Sequence, residues 1–412
     1  MDMRSAPSVA PQGGGAAHRA VHARFTDWLF GQALPFWADT GCDGVAGMPA
    51  ALGAQEHLTC EGVPAYPAFK RVRVQARQLF VFSWASLRGW PEARARADGL
   101  FQFLLRARRA DGGWACRLTR SGAVLDSTAD LYDLAFVVFA LAWYARLDGV
   151  GEHPVALARE TLRWIETAMP RPEGGFLNCL PDEGGAWQQN PHMHLFEAVL
   201  ALYDVTGQAD DLILAHRLHD LFRTRFFEST TGCLGEYFQA GWAPAAGEAG
   251  QWTEPGHHFE WVWLLHAYTA RSGVETRAEA DSLYRFALAH GVQGDTALVR
   301  DAVSRDGQVL SNAARLWVQG EALRGILSHD AQGNAPLAAR VGENLLAYYL
   351  HGPQACPSAQ ATWTAQLDAQ GQPAAERTPT RSRSPPVTPS EQHEPAGGTG
   401  CARTRPRRAG GS

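Results

Sequence analysis

The chain of 412 residues lacks a long hydrophobic run, clustered cysteines and an excess of basic charge, and each absence removes a class of protein. No stretch approaches the ~20 apolar residues that span a bilayer, so no membrane helix is expected. The seven cysteines (Cys42, Cys60, Cys116, Cys179, Cys233, Cys356, Cys401) are scattered, odd in number and contain no C-x-x-C. That usage fits reduced thiols in the cytoplasm and argues against structural zinc. A formal net charge of -5 gives neither nucleic acid nor an anionic membrane surface a reason to bind. A Gly-rich phosphate loop is also missing, because Gly112-Gly113 reads as a hairpin signal. Residues 1–17 are rich in Gly, Ala and Pro without an apolar h-region, and read as a disordered leader rather than a secretion signal.

What the chain does have is apolar content at helical spacing. Hydrophobic residues make up 45%, with 14 Trp and 18 Phe, enough for a large core. The periodicity predicts helices over roughly 18–37, 70–88, 92–109, 128–147, 154–168, 191–206, 209–226, 257–271, 276–290, 312–328 and 335–350. Similar connectors separate alternate helices: Asp111-Gly-Gly-Trp114, Glu173-Gly-Gly-Phe176 and Thr231-Gly-Cys-Leu-Gly235. Thr296-Ala-Leu-Val299 with Asp306-Gly307, and Thr362-Trp363 through Asp368 to Gly371, continue the series. The step from Trp114 to Phe176 to Leu234 is about 60 residues, the length of two helices and a hairpin. An all-α toroid of helix pairs follows. The more apolar helices entered from the long connectors form an inner ring, and the charged ones an outer ring.

In such a ring the first turns of the inner helices converge on one funnel. Those turns are unusually polar: Arg73 and Arg77; Asp130 and Asp133; Asn190, His192 and His194; His257, His258 and Glu260; Arg315, Trp317 and Glu321. The stretch Glu254-Pro-Gly-His-His-Phe-Glu-Trp-Val-Trp-Leu-Leu265 is the most pointed, since His257, Glu260 and Trp261 share one helix face. His194 and Glu197 repeat the His-x-x-Glu spacing of His257 and Glu260. Two imidazoles across a funnel suit proton transfer near neutral pH, with carboxylates to orient them or to hold hydroxyl groups. Arg77 could bind an oxyanion or sugar hydroxyl, and tryptophans could stack on a sugar face. Two other chemistries compete. A metal site could be built from the two His-x-x-Glu helices, and Glu260, Glu321 or Asp130 could serve glycoside hydrolysis.

The helix count is odd, and a sixth pair would need a helix after the fifth connector. Instead, from about Arg377 the chain is rich in Arg, Pro and Gly, with no apolar periodicity. This predicts a helical domain over 18–376 and a disordered tail over 377–412, the product of a changed reading frame near Arg377.

Four motifs, Arg73-Val-Gln-Ala-Arg77, Asn190-Pro-His-Met-His194, Pro255-Gly-His-His-Phe-Glu-Trp261 and Arg315-Leu-Trp-Val-Gln-Gly-Glu321, resemble the N-acylglucosamine 2-epimerase family, which includes mannose isomerases and cellobiose 2-epimerases. The resemblance covers about residues 20–376. It implies an (α/α)6 barrel and proton transfer at C1/C2 of a sugar through an enediol(ate), with no cofactor and no metal. It assigns His257 as a catalytic histidine and places His194, Glu260, Arg77, Asn190, Trp317 and Glu321 in the pocket. With the paired-imidazole argument, His257 and His194 are the expected catalytic residues, and Arg77, Asn190, Glu260, Trp317 and Glu321 the substrate-binding ones. The family's second catalytic histidine lies in a Pro-Ala-Ser-x-x-Tyr-His-like motif of the last helix, where this chain reads Thr378-Pro-Thr; His393 lacks that context.

The expected activity is isomerisation of an unphosphorylated hexose, mannose to fructose, with 2-epimerisation of N-acylglucosamine or cellobiose type as one alternative. A catalytically impaired sugar-binding relic is the other. The expected protein is a cytoplasmic monomer or homodimer whose only partner is a small sugar, with no nucleic acid and no membrane.

Overall fold

The structure, a computed structural model, describes residues 16–59, 62–330, 333–350 and 361–374. The chain divides into two units, Met1–Glu376 and Arg377–Ser412. The second, with the predicted tail and His393, lies outside the described residues, as does the leader up to residue 15. In chain order the first helices are α1 (Ala16–Trp28), α2 (Leu34–Asp39), α3 (Val72–Leu87), α4 (Ala93–Leu104), α5 (Leu131–Tyr144), α6 (His153–Ala168) and α7 (Asn190–Thr206). They are followed by α8 (Ile213–Leu221), the short α9 (Gly247–Gln251), α10 (Pro255–Ser272), α11 (Arg277–Phe286), α12 (Leu316–Asp330) and α13 (Ala335–Asn344). Helix α1 begins at Ala16, two residues before the predicted start. No described helix is long and apolar enough to cross a membrane.

Burial separates the two rings as the sequence pattern requires. In α5 nearly every residue is buried and Asp133 is the one charged side chain, so the helix is enclosed on all sides. In α11 only Ala280, Leu283, Tyr284 and Phe286 are buried, a single stripe that suits an outer position. The inner helices neighbour one another in the order α3, α5, α7, α10, α12, with α4, α6, α8, α11 and α13 packed outside them and α1 against α13.

Each inner helix is entered from a short strand: Phe69–Arg71, Ala129–Asp130, Trp187–Gln188, Trp252–Thr253 and Ala314–Arg315. Each strand pairs antiparallel with one in the next connector, namely Arg117–Thr119, Cys179–Leu180, Tyr237–Phe238, Ala302–Ser304 and Gln366–Leu367. The connectors are thereby laced into a rim at the ends where the inner helices begin.

A second repeated device fixes that rim. Buried connector N–H groups need acceptors, and the first turn of four inner helices supplies one. Gln75 Oε1 accepts from the Ala54 N–H at 2.6 Å, and Gln319 Oε1 from the Val299 N–H at 2.8 Å. At the matching positions His192 Nε2 accepts from the Phe176 N–H at 2.9 Å and His258 Nε2 from the Leu234 N–H at 3.0 Å. Their Nδ1–H groups donate to the backbone carbonyls of Gln188 and Glu254. Burial holds both imidazoles neutral, with His192 pushed down to about 4 and His258 to about 3. In α5 the position is the apolar Leu134. The expectation that His192 and His258 face the funnel is therefore corrected, since both are pegs for the connector backbone.

Candidate active site

Four other residues predicted to converge on the funnel, Arg73, Asp130, Asp133 and Arg315, hold its wall instead. The Asp130 carboxylate caps α5 by accepting from the Asp133 N–H at 3.1 Å. Arg73 lies 2.6 Å from Asp133 and 3.8 Å from Asp130. Arg315 is clamped between Glu254 at 2.8 Å and Asp301 at 3.0 Å. Trp261, expected on the face of His257, is fully buried, stacked on Phe222, and donates its indole N–H to Gln189 Oε1 at 3.0 Å.

Of the remaining predicted residues, contacts link Arg77, His194, Glu260 and Glu321, while His257 and Trp317 form a second pair. Arg77 lies over the Phe136 ring at 4.1 Å and donates to the Tyr132 hydroxyl. Phe136 and Tyr132 in turn pack against the imidazole of His194, with ring centroids 4.7 and 4.9 Å away. His194 Nδ1 lies 3.7 Å from Glu197 Oε2 and 3.5 Å from Glu260 Oε1. Arg324 of α12 donates to Glu197 Oε1 at 3.0 Å and to Glu321 at 3.5 Å, and its guanidinium covers the Trp263 ring at 3.3 Å. The His257 ring lies 4.9 Å from the Trp317 ring. A Cβ on Gly256 would come within 2.7 Å of that indole, so only glycine lets Trp317 sit this close to α10. Asn190, the first residue of α7, carries a buried Oδ1 with no hydrogen-bond partner among the described residues.

The His-x-x-Glu pairing differs from expectation. Glu260 does not orient its own helix neighbour His257; it reaches across to His194 on α7. His257 Nδ1 is held instead by Glu236 Oε1 of the preceding connector at 3.0 Å. The other oxygen of Glu236 accepts from Gln189 Nε2 at 2.9 Å, and Gln189 accepts from Trp261, so two buried side chains brace the carboxylate. Glu236, Gln189 and Arg324 are the members of the site that the sequence pattern did not single out. Arg324, one turn beyond Glu321 on α12, was open to the same i,i+3 reasoning.

Electrostatics divides the two histidines. Burial alone would depress both. For His194 it prevails over the nearby Glu197, and the imidazole is pushed down to about 4. For His257 burial is outweighed by the carboxylates of Glu236, Glu254 and Glu260, and the ring is pushed up to about 9. Burial, reinforced by Glu321 and Glu197, holds the Glu260 carboxyl well above the usual range. At neutral pH the site therefore presents a neutral imidazole and an imidazolium, the opposed protonation states that acid/base chemistry uses. His194, Glu197 and Glu260 also offer three ligand atoms within 4.8 Å of one another, a set able to hold a metal ion.

Fold and site together define a barrel of helix pairs with buried histidines and carboxyl groups at the rim where its inner helices start, the architecture of the (α/α)6 enzymes it resembles. The profile of the N-acylglucosamine 2-epimerase (GlcNAc 2-epimerase) family matches residues 53–383, and the chain belongs to that family. It is 34% identical over 310 residues to a mannose-6-phosphate isomerase of Rhizobium meliloti (strain 1021), covering 74% of this chain and 78% of the relative. It is 28% identical to a D-mannose isomerase of Thermobifida fusca, covering 72% and 79%. In fold it is similar to a cellobiose 2-epimerase of Bacillus thermoamylovorans B4167, with a TM-score of 0.74 at 21% identity, covering 87% of this chain and 93% of that one. A D-mannose isomerase superimposes with a TM-score of 0.73 at 20% identity over 89% and 93%. The protein is thus an intramolecular sugar isomerase or epimerase.

Proposed function

We propose that the chain isomerises an unphosphorylated hexose at C1/C2, mannose to fructose, with His194 as the base and His257 as the acid. The observation that carries this reading is the opposed charge state of two histidines at the same rim. Neutral His194 takes the proton from C2 of the open-chain sugar while the His257 imidazolium gives a proton to the carbonyl oxygen O1, leaving an enediol. The proton on His194 then returns to C1 as the O2 hydroxyl gives its proton back to His257, so both side chains end as they began. Glu260, Glu321 and Asn190 hold sugar hydroxyls, Arg77 an oxygen of the open chain, and Trp317 a sugar face. The reaction runs without cofactor, and the protein works in the cytoplasm as a monomer or homodimer.

Incubation with mannose, mannose 6-phosphate, N-acetylglucosamine and cellobiose tests the reading. Fructose from mannose supports it; glucose from mannose, or turnover of another sugar alone, overturns it. Activity should also survive a chelator. A second reading, a sugar-binding relic, is favoured by Thr378-Pro-Thr standing where the family carries its last-helix histidine motif. Sugar binding without turnover, with turnover restored by grafting a family-type last helix after Glu376, would identify the relic. Sequencing the locus afresh tests the changed frame near Arg377, and an intact frame removes that explanation.

A further inference from the structure

The contact between His194 and its two glutamates is unlike the other histidine–carboxylate contacts in the molecule. His257 meets Glu236 at 3.0 Å and His329 meets Asp281 at 2.9 Å, spacings with one proton between the heavy atoms. His194 Nδ1 stands back, at 3.5 Å from Glu260 and 3.7 Å from Glu197, and this buried nitrogen has no hydrogen-bond partner among the described residues. Glu260, with its side chain 5% exposed, likewise accepts no hydrogen bond from a described residue. The two distances from His194 are long for hydrogen bonds but near another spacing, and the three ligand atoms lie within 4.8 Å of one another. Ligands of a tetrahedral zinc ion, at ~2.0–2.1 Å from the metal, lie about 3.4 Å from one another.

The surroundings favour the same occupant. Arg324 binds Oε1 of Glu197, so Oε2 is the oxygen turned towards His194. That is how an outer partner orients a ligating carboxylate. Glu321 adds a further carboxyl group beside Glu260.

We infer that His194, Glu197 and Glu260 form a site for a divalent cation of borderline softness, Zn²⁺ by ligand type, in which one nitrogen and two carboxylate oxygens face the ion. Because these groups would hold the sugar under the isomerase reading, the ion competes with substrate and is an inhibitor rather than a cofactor. That clause alone rests on the isomerase reading; binding of the ion does not.

Isothermal titration of chelator-stripped full-length protein with ZnCl₂ at pH 7.5 tests this. One site is expected, weakened about tenfold or more by E260Q and by E197Q, while H329Q, at the distant histidine pair, leaves the isotherm unchanged. Circular dichroism identifies any variant that fails to fold, and two amide variants keep the test decisive if one is lost. No saturable site in the wild type, or a site indifferent to both amide variants, overturns the inference. Zinc that binds without being displaced by the sugar the protein accepts removes the inhibitory role and leaves the site.

Discussion

His257 and His258 are adjacent on α10, yet they serve two different regions. His258 turns into the connector layer, where its Nε2 meets an amide N–H and its Nδ1–H meets a carbonyl. Both partners suit a neutral ring, and burial then drives its proton affinity down to about 3. His257 turns the other way and meets the carboxylate of Glu236, which suits an imidazolium, and it is lifted to about 9. Both rings are buried, so burial cannot explain the difference. The partner decides. A histidine that faces only amides is a structural acceptor that glutamine can replace, as Gln75 and Gln319 do in sister repeats, whereas one braced by a carboxylate is poised for acid chemistry.

The contrast breaks most sharply on substitution. His257→Gln should lower turnover of the accepted sugar by about 10³-fold, the usual worth of a general acid, and should also lower the melting temperature, because buried Glu236 loses its charged partner. His258→Gln should leave turnover within about twofold, because it touches the connector and not the funnel. Equal loss of turnover in both variants would erase the division between the two regions.

The connector layer should break in stability. His258→Leu leaves the Leu234 N–H without its acceptor at a cost of about 1–3 kcal/mol, whereas His258→Gln keeps it. Acid sharpens the comparison. His192 and His258 are held below their ordinary value, so the unfolded chain takes up their protons first as pH falls below ~6.5. Stability present at neutral pH is therefore lost through the acid range, about 3 kcal/mol per histidine by pH 4. The gap between the urea midpoints at pH 7 and pH 4 should narrow in the His192→Gln, His258→Gln double variant, with part of it kept by His194, His219 and His329, which are also held down to about 4. A double variant as acid-labile as the wild type would show that the pegs are not the cause.

How much of this was legible follows from the same two regions. Helices came through because α5 and α11 bury their residues in patterns that a periodicity reading sees, and the connectors because their glycines recur at a steady step. Within the funnel, His194 with Glu197 and His257 with Glu260 were visible as helix spacings. The partner of His257 was not, since Glu236 lies in a connector with no helical period and its brace Gln189 is 47 positions away. The pegs were hidden because two chemistries, glutamine and histidine, fill one role. Aligning the first turns of the inner helices on Gln75, His192, His258 and Gln319 would have exposed them.

The smallest effect concerns Glu236, which touches no substrate and acts through His257. In Glu236→Gln the amide oxygen still accepts from Nδ1, so the ring keeps its place, but the charge that outweighs burial is gone. The imidazolium then loses its proton at lower pH, and the alkaline limb of kcat/KM should move from near 9 towards the unperturbed ~6.5, with kcat reduced about tenfold at pH 7.5. Stability carries the same sign. A raised folded-state value stabilises the protein below the unfolded value, and that stability is lost as pH rises through about 9. The variant should therefore lose less stability than the wild type between pH 6 and pH 9.5. A rate loss with an unmoved alkaline limb would mean that Glu236 only packs the rim, and it would then belong with the pegs rather than with the funnel.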